Sequence, residues 1–497
     1  VKVQQFLEHQ GLSQNPFSQE DAQTDPLFKQ FCAKDIFHPA WDKIFGDAGQ
    51  PATSVVFGEK GSGKTAMRLQ MVQQIAVHNV QHPDDRVYVI EYDNFNPFLD
   101  AFHSRMLPVA RSPERTLSKW RLWDHMDAIL SLGVTSLLND LVSDNTSGEP
   151  GPNEIHSERL RKLSRSQQRD LLLLAALYDH SLGQSPSDRW TSARRRVGFA
   201  NWKVWWDFSL GLTVSLVLFL VLAQSGHLSQ FGEFWPWLLI LVAWGPWLWR
   251  QVRLWWLSWR ISHQIRVFEQ PINLLRSMLA RFESKDLIGQ PMPSRDRSDD
   301  RYELLSKFQG ILKTLGFSGV TVIVDRVDEP HLVNGSAERM RDLLWPMFDN
   351  KLLKHAGVGF KLLLPIEVSF YLAKEDKTFY EKSRLDKQHL VRSLEWTGES
   401  LYDLANDRIR AVSNSPSSKT LKNWFEDGIT DAELISTLAR LRVPRHLFKF
   451  LHRLLVEHCH RYTDDAPRWD IARETLHSTL AVYLRDLEAY DRGLGAG

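Results

Sequence analysis

Residues Gly58-Glu59-Lys60-Gly61-Ser62-Gly63-Lys64-Thr65 follow the form G-x-x-x-x-G-K-[ST], and their context narrows the folds open to this chain. Before them, Ser54-Val55-Val56-Phe57 is a short apolar run rich in β-formers. After them, a run of helix formers places Met67, Met71 and Ile75 at helical spacing. In a strand–loop–helix of this kind the glycines let successive backbone N–H groups converge on phosphate oxygens. The positive end of the helix faces the same point. Lys64 is expected to reach the β- and γ-phosphates, and the Thr65 hydroxyl to ligate Mg²⁺. All eight residues from Gly58 to Thr65 are expected to line a site for a nucleoside triphosphate.

A second half of that site is expected far along the chain. Thr321-Val322-Ile323-Val324-Asp325 is a β-branched strand ending in an acid, and Arg326-Val327-Asp328-Glu329 continues it. Asp325 is expected to hold Mg²⁺ opposite Thr65. Either Asp328 or Glu329 is placed to orient or deprotonate an attacking water. Further strands are expected at 86–92, 359–365 and 388–394, with an amphipathic helix around 339–353. Strands alternating with helices imply an α/β fold with a doubly wound, mostly parallel sheet. Residues 100–300 then form an insertion, with helices expected at 123–142 and 160–178 and a loop at 143–153.

Within that insertion the chain turns apolar. Phe208 to Gly226 carries no charge over 19 residues, about 28 Å as a helix. Phe234 to Trp249 carries none over 16, and Arg250 and Arg253 can snorkel to extend it to Trp259. Of the 19 tryptophans, 11 lie between Trp202 and Trp259, like an interfacial belt. Basic residues flank both outer ends (Arg194, Arg195 and Arg196 before, Arg260 and Arg266 after), and the connection between the runs has no Lys or Arg. A two-span membrane hairpin is expected, in contact with lipid, with both ends and the bulk of the chain on the cytoplasmic side of the inner membrane. Val252 to Phe282 is expected to leave along the membrane surface.

Other function classes find little support. The N-terminal stretch to Gln14 has no signal-peptide pattern. The two cysteines, Cys32 and Cys459, suggest neither a disulfide framework nor a metal site. A net charge of +1 gives no global bias toward nucleic acid, although Arg440, Arg442, Arg445, Lys449, Arg453 and Arg461 form a basic run in the last segment. There, Pro444 reads as a helix start. Arg445, just inside it, is a candidate for reaching the γ-phosphate from a helical lid. Arg384, between the last two strands, is a candidate for acting on a neighbouring copy's nucleotide.

Together, the phosphate loop at 58–65, the Asp325-to-Glu329 run and Pro444-Arg445 resemble the STAND class of P-loop ATPases. The D-x-x-D-E spacing is similar to the NACHT form of Walker B. A membrane hairpin between Walker A and Walker B is similar to the KAP branch, and Asn15-Pro16-Phe17 resembles the lead of bacterial AAA-type chains. The resemblance covers roughly 15–100 and 305–460. It implies an ATP-binding, Mg²⁺-dependent ATPase whose assembly into homo-oligomers is coupled to signalling or defence. The expected divisions are 1–100 and 305–398 for the two parts of the nucleotide domain and 101–202 for a helical insertion. The hairpin takes 203–260, an amphipathic helix and linker 261–304, and a helical lid 399–497. A membrane-tethered loader acting on DNA or protein and a non-hydrolysing scaffold are the alternatives.

Overall fold

The computed structural model describes residues 2–32, 36–108, 111–142, 153–155, 157–181, 183–201, 205–224, 232–413, 420–463 and 465–491. In chain order the elements that position the site are β1 (Ser54–Gly58), α1 (Lys64–Gln81), β2 (Arg86–Tyr92), α2 (Leu122–Val142), α3 (Arg165–Tyr178), α4 (Trp206–Gln224), α5 (Phe234–Gln264), α6 (Asp299–Thr314), β3 (Phe317–Val324), β4 (Val358–Pro365), β5 (His389–Val391) and α7 (Pro444–Arg461).

The strands form one sheet in the order β2-β3-β4-β1-β5, every pair parallel. Both faces are covered, so the strands read as near-continuous apolar runs. Side chains alternate between two cores. Val56, Val87, Val89, Ile323 and Leu363 meet Met67, Met71 and Ile75 of α1 on one face. Val55, Phe57, Tyr88, Ile90, Val322 and Leu362 meet α2, α3 and α6 on the other. The chain leaves β1 toward the first face and leaves β4 toward the second, where Val368 and Leu372 pack. Neighbouring strands whose continuations diverge leave a crevice at their carboxyl ends, and β1 and β4 are such a pair.

Three expected divisions change. Apart from α4 and the first half of α5, the helices between 113 and 314 share one continuous core with the sheet, so they are its second helical layer. Residues 3–27 belong with the C-terminal helices, not with the sheet. Phe6 and Phe17 pack edge-on against Trp424 at 5.8 and 5.7 Å, and Phe17 stacks on Phe448. The segment after the hairpin does not lie on a surface, because Ile261, Ile265, Phe268, Leu275, Leu279 and Phe282 are buried in the main core. The single helix expected over 339–353 is broken into Ala337–Leu344, a 3₁₀ turn at Trp345–Met347 and Asn350–Leu353. Pro346 is the reason, since it has no N–H for the helical ladder and clashes with the preceding turn. Most of the predicted loop at 143–153 lies outside the described residues.

Among the described residues, one helix is long and apolar enough to cross a membrane, α4. It packs antiparallel on α5, where Gly211 makes room for the Trp244 ring and Trp244 Nε1 donates to Ser215 Oγ at 3.1 Å. Outside that contact both helices expose apolar side chains, including Leu216, Phe219, Trp237, Leu241 and Trp249. The connection at 225–231 lies outside the described residues. Helix α5 runs 31 residues without a break, so the second apolar run and the stretch after it are one element. Arg250 does not snorkel. It donates to the carbonyls of Ala280 and Phe282 at 2.9 and 2.7 Å, fastening α5 to the core.

A buried ion pair ties the helices of the second layer to one another. Arg301 and Asp127, both fully buried, share two hydrogen bonds of 3.1 Å, and Tyr178 donates to the same carboxylate at 2.8 Å. Lys361, at the centre of β4, has no carboxylate partner and donates to Ile44 O and Phe45 O at 2.8 Å each. Burial pushes its ammonium down from 10.5 to about 8. Below pH 8 native and unfolded chains both carry the proton, and the cost of burying it is complete. Between about pH 8 and 10.5 the native chain loses the proton first, so stability rises there by about 3 kcal/mol. The stability of the wild type relative to Lys361→Met, followed by denaturant unfolding in detergent, should rise by that amount over this range. A pH-independent difference would contradict it.

Candidate nucleotide-binding site

The loop leaving β1 turns through Gly61 and Gly63, both left-handed with φ of 86° and 96°, and Gly63 caps α1. A Cβ on Gly61 would stand 2.5 Å from Arg445 Cβ, so glycine here is also what lets α7 touch the loop. Arg445 N–H donates to Gly61 O at 3.3 Å, and the Arg442 guanidinium pairs with Glu59. Trp396 Nε1 donates to Ser62 O at 2.9 Å and holds the loop from the β5 side.

Across the crevice, Thr65 Oγ1 donates to Asp325 Oδ2 at 3.0 Å, joining two groups 260 positions apart. Asp325 is buried, which pushes its carboxyl up, against the pull of Arg68, Thr65 and Lys64. Lys64 Nζ donates to Gly58 O and Glu59 O at 2.8 and 3.0 Å. Burial pushes its ammonium down, opposed by the nearby carboxylates of Asp328, Asp325 and Glu367. Among the carboxylates around Lys64, Asp328 acts most strongly on it. Glu329 stands beside Arg326, with Oε1 3.5 Å from the guanidinium Nε.

These groups line one cavity of about 360 Å³, within the range of small-ligand pockets. Lys60 to Thr65, Asp325, Asp328, Glu329 and Arg445 all face it. Gly58 and Glu59 meet the same site through the carbonyls that hold Lys64. Arg384 does not join them. It is exposed, outside the cavity, and caps the helix Lys377–Ser383 in a left-handed conformation.

Sequence reasoning missed several contributors. Arg68, one turn after Thr65, is buried, pairs with Glu91 at 3.1 Å and with Asp93, and has Nε 3.5 Å from Asp325 Oδ2. A basic residue beside the apolar positions of α1 is the signal that could have found it. The far wall comes from the N-terminal segment and the lid: Ala22, Phe28, Ile36, Leu404 and Phe448 make it apolar. Arg408 steadies that wall by pairing with Asp25 at 2.5 Å and donating to Pro16 O at 2.7 Å. The only sequence hint of it was Asn15-Pro16-Phe17.

The residues present fit a Mg²⁺-bound triphosphate. Ser62 Oγ and the Nε atoms of Arg326 and Arg445 are buried without hydrogen-bond partners, and all three residues line the cavity. Unpaired donors on residues that line one space are available to a ligand rich in acceptor oxygens once those side chains turn toward it. Thr65 and Asp325 supply the hydroxyl and carboxylate oxygens that Mg²⁺ takes. Half of the basic run of the last segment is paired with acids, though it stays largely exposed: Arg442 meets Glu59, Lys449 meets Glu20 at 3.1 Å, and Arg453 meets Asp486 at 2.9 Å. No family model, curated protein or solved structure matches the chain.

Proposed function

We propose that this chain is a membrane-anchored, Mg²⁺-dependent ATPase that works as a STAND-type switch. The observation that carries the reading is the 3.0 Å hydrogen bond from Thr65 to Asp325 at the floor of a cavity with Lys64 and Arg445 in its walls. ATP places its phosphates at the loop and its nucleoside against the apolar wall. Mg²⁺, held by Thr65 and Asp325, supplies charge neutralisation at the phosphates. Lys64 gives up its contacts with Gly58 O and Glu59 O to meet phosphate oxygens. Asp328 accepts a proton from the attacking water as a P–O bond forms at the γ-phosphorus and the bond to the ADP oxygen breaks.

Contacts from the cavity to the rest of the chain support a switch. α7 rests on the loop through Arg445 and Gly61, so filling the cavity bears on the C-terminal helices. On the other side His125 Nε2 bonds to Leu343 O at 2.7 Å, in the helix that follows the acidic turn. Next to it, Asp124 pairs with Arg266, just beyond the end of α5, at 2.6 Å. A rearrangement of the acidic turn thus has a packed route to the base of the apolar hairpin. Arg384 fits the proposal only as a residue offered to a neighbouring copy.

Two experiments test the proposal. Phosphate release by the full chain in liposomes should require Mg²⁺ and disappear in Lys64→Ala; turnover surviving that change would overturn the enzymatic reading. For the hairpin, cysteine placed at Ser229 should react with an impermeant reagent outside intact cells, while cysteine at Ser284 should not. Equal labelling of both would remove the two-span topology.

A further inference from the structure

Arg326 follows Asp325 directly and has φ of 58°, in the left-handed region that side-chain-bearing residues avoid. Such a conformation costs on the order of 1 kcal/mol and persists where something else requires it. Glycine would take this conformation without strain, so the backbone does not explain an arginine. The side chain does. It lines the cavity, and its Nε is buried with no hydrogen-bond partner. The nearest charge is Glu329 Oε1 at 3.5 Å, too long for a good hydrogen bond. The side chain is 24% exposed.

We propose that Arg326 is a cis-acting γ-phosphate ligand that stands against Glu329 and is transferred to the terminal phosphate when ATP binds. The proposal rests on the cavity being a triphosphate site. A guanidinium matches phosphate oxygens in planar, charge-assisted pairs better than it matches one carboxylate oxygen at 3.5 Å. The γ-phosphate is the part of ATP that ADP lacks, so Arg326 becomes the group that reads which nucleotide is bound. Its release from Glu329 then alters the turn from 326 to 329, whose Glu329 N–H to Arg326 O bond is 3.2 Å long. An exposed Arg384 is not needed for this charge.

Arg326→Gly separates this role from a structural one, because glycine is the residue the backbone prefers. The full chain in detergent, as wild type, Arg326→Gly and Arg326→Lys, is compared for thermal midpoint and for MgATP and MgADP affinity by calorimetry. Arg326→Gly is expected to melt at or above the wild-type temperature and to keep its ADP affinity. Its ATP affinity should fall about 10–100-fold, the loss of a charge-assisted hydrogen bond. Arg326→Lys should recover part of the ATP preference. Equal ATP and ADP affinities in wild type and Arg326→Gly would overturn the proposal. So would a lowered melting temperature with ATP and ADP weakened alike, which would make Arg326 structural. Wild-type protein that binds neither nucleotide would instead remove the underlying site.

Discussion

Asp328→Asn is expected to bind MgATP as the wild type does and to lose turnover by about 10²–10⁴-fold, the usual cost of a missing general base. From sequence, Asp328 and Glu329 were equivalent candidates. Their surroundings differ: Asp328 is half-buried in the cavity wall, while Glu329 is more than half exposed and engaged with Arg326. Burial also pushes the Glu329 carboxyl up, with Arg326 pulling it down and Asp328 and Asp325 adding to the rise. Glu329→Gln should therefore be the milder change. Single-turnover phosphate release with the two variants side by side checks this, and a larger loss in Glu329→Gln would exchange their roles.

Arg445→Ala is expected to weaken ATP binding and to cut turnover by about 10³–10⁵-fold, the range for an arginine supplied to phosphoryl transfer. Arg445 sits at the first turn of α7, packs on Gly61 and leaves its Nε buried without a hydrogen-bond partner. Its loss removes a positive charge from the cavity wall and the side chain through which α7 covers the loop. Limited proteolysis should show the C-terminal helices no longer protected by ATP. Turnover within tenfold of wild type would make Arg445 a packing residue. The stake is higher here than at Arg384, which the structure leaves exposed and outside the cavity.

Local signals made the two halves of the site legible. The G-x-x-x-x-G-K-T run and the Asp325 strand each carry their chemistry in consecutive residues, and they meet at Thr65 and Asp325 because β1 and β3 run parallel in one sheet, on either side of β4, and end at the same edge. Four of the five strands were readable because buried strands are apolar runs, whereas the strand expected at 388–394 is only His389–Val391, a partly exposed edge strand. What stayed hidden depends on contacts between distant segments. No periodicity shows that Phe17 packs on Phe448, or that Asp25 answers Arg408 across 383 positions. The basic run at 440–461 looked like a free face because its acidic partners, Glu20, Glu59 and Asp486, lie elsewhere in the chain. Arg250 was misread as an interfacial residue because the carbonyls it caps belong to a turn 30 positions on.

Calorimetric titration of the full chain with ATP, in the presence and absence of Mg²⁺, addresses the central claim most directly. The wild type is expected to bind one ATP per chain, more tightly with Mg²⁺. Lys64→Ala should bind at least about 10²-fold more weakly, having lost charge-assisted hydrogen bonds to the phosphates. Undiminished affinity in Lys64→Ala, or no binding by the wild type, would contradict the assignment of this cavity to a nucleoside triphosphate.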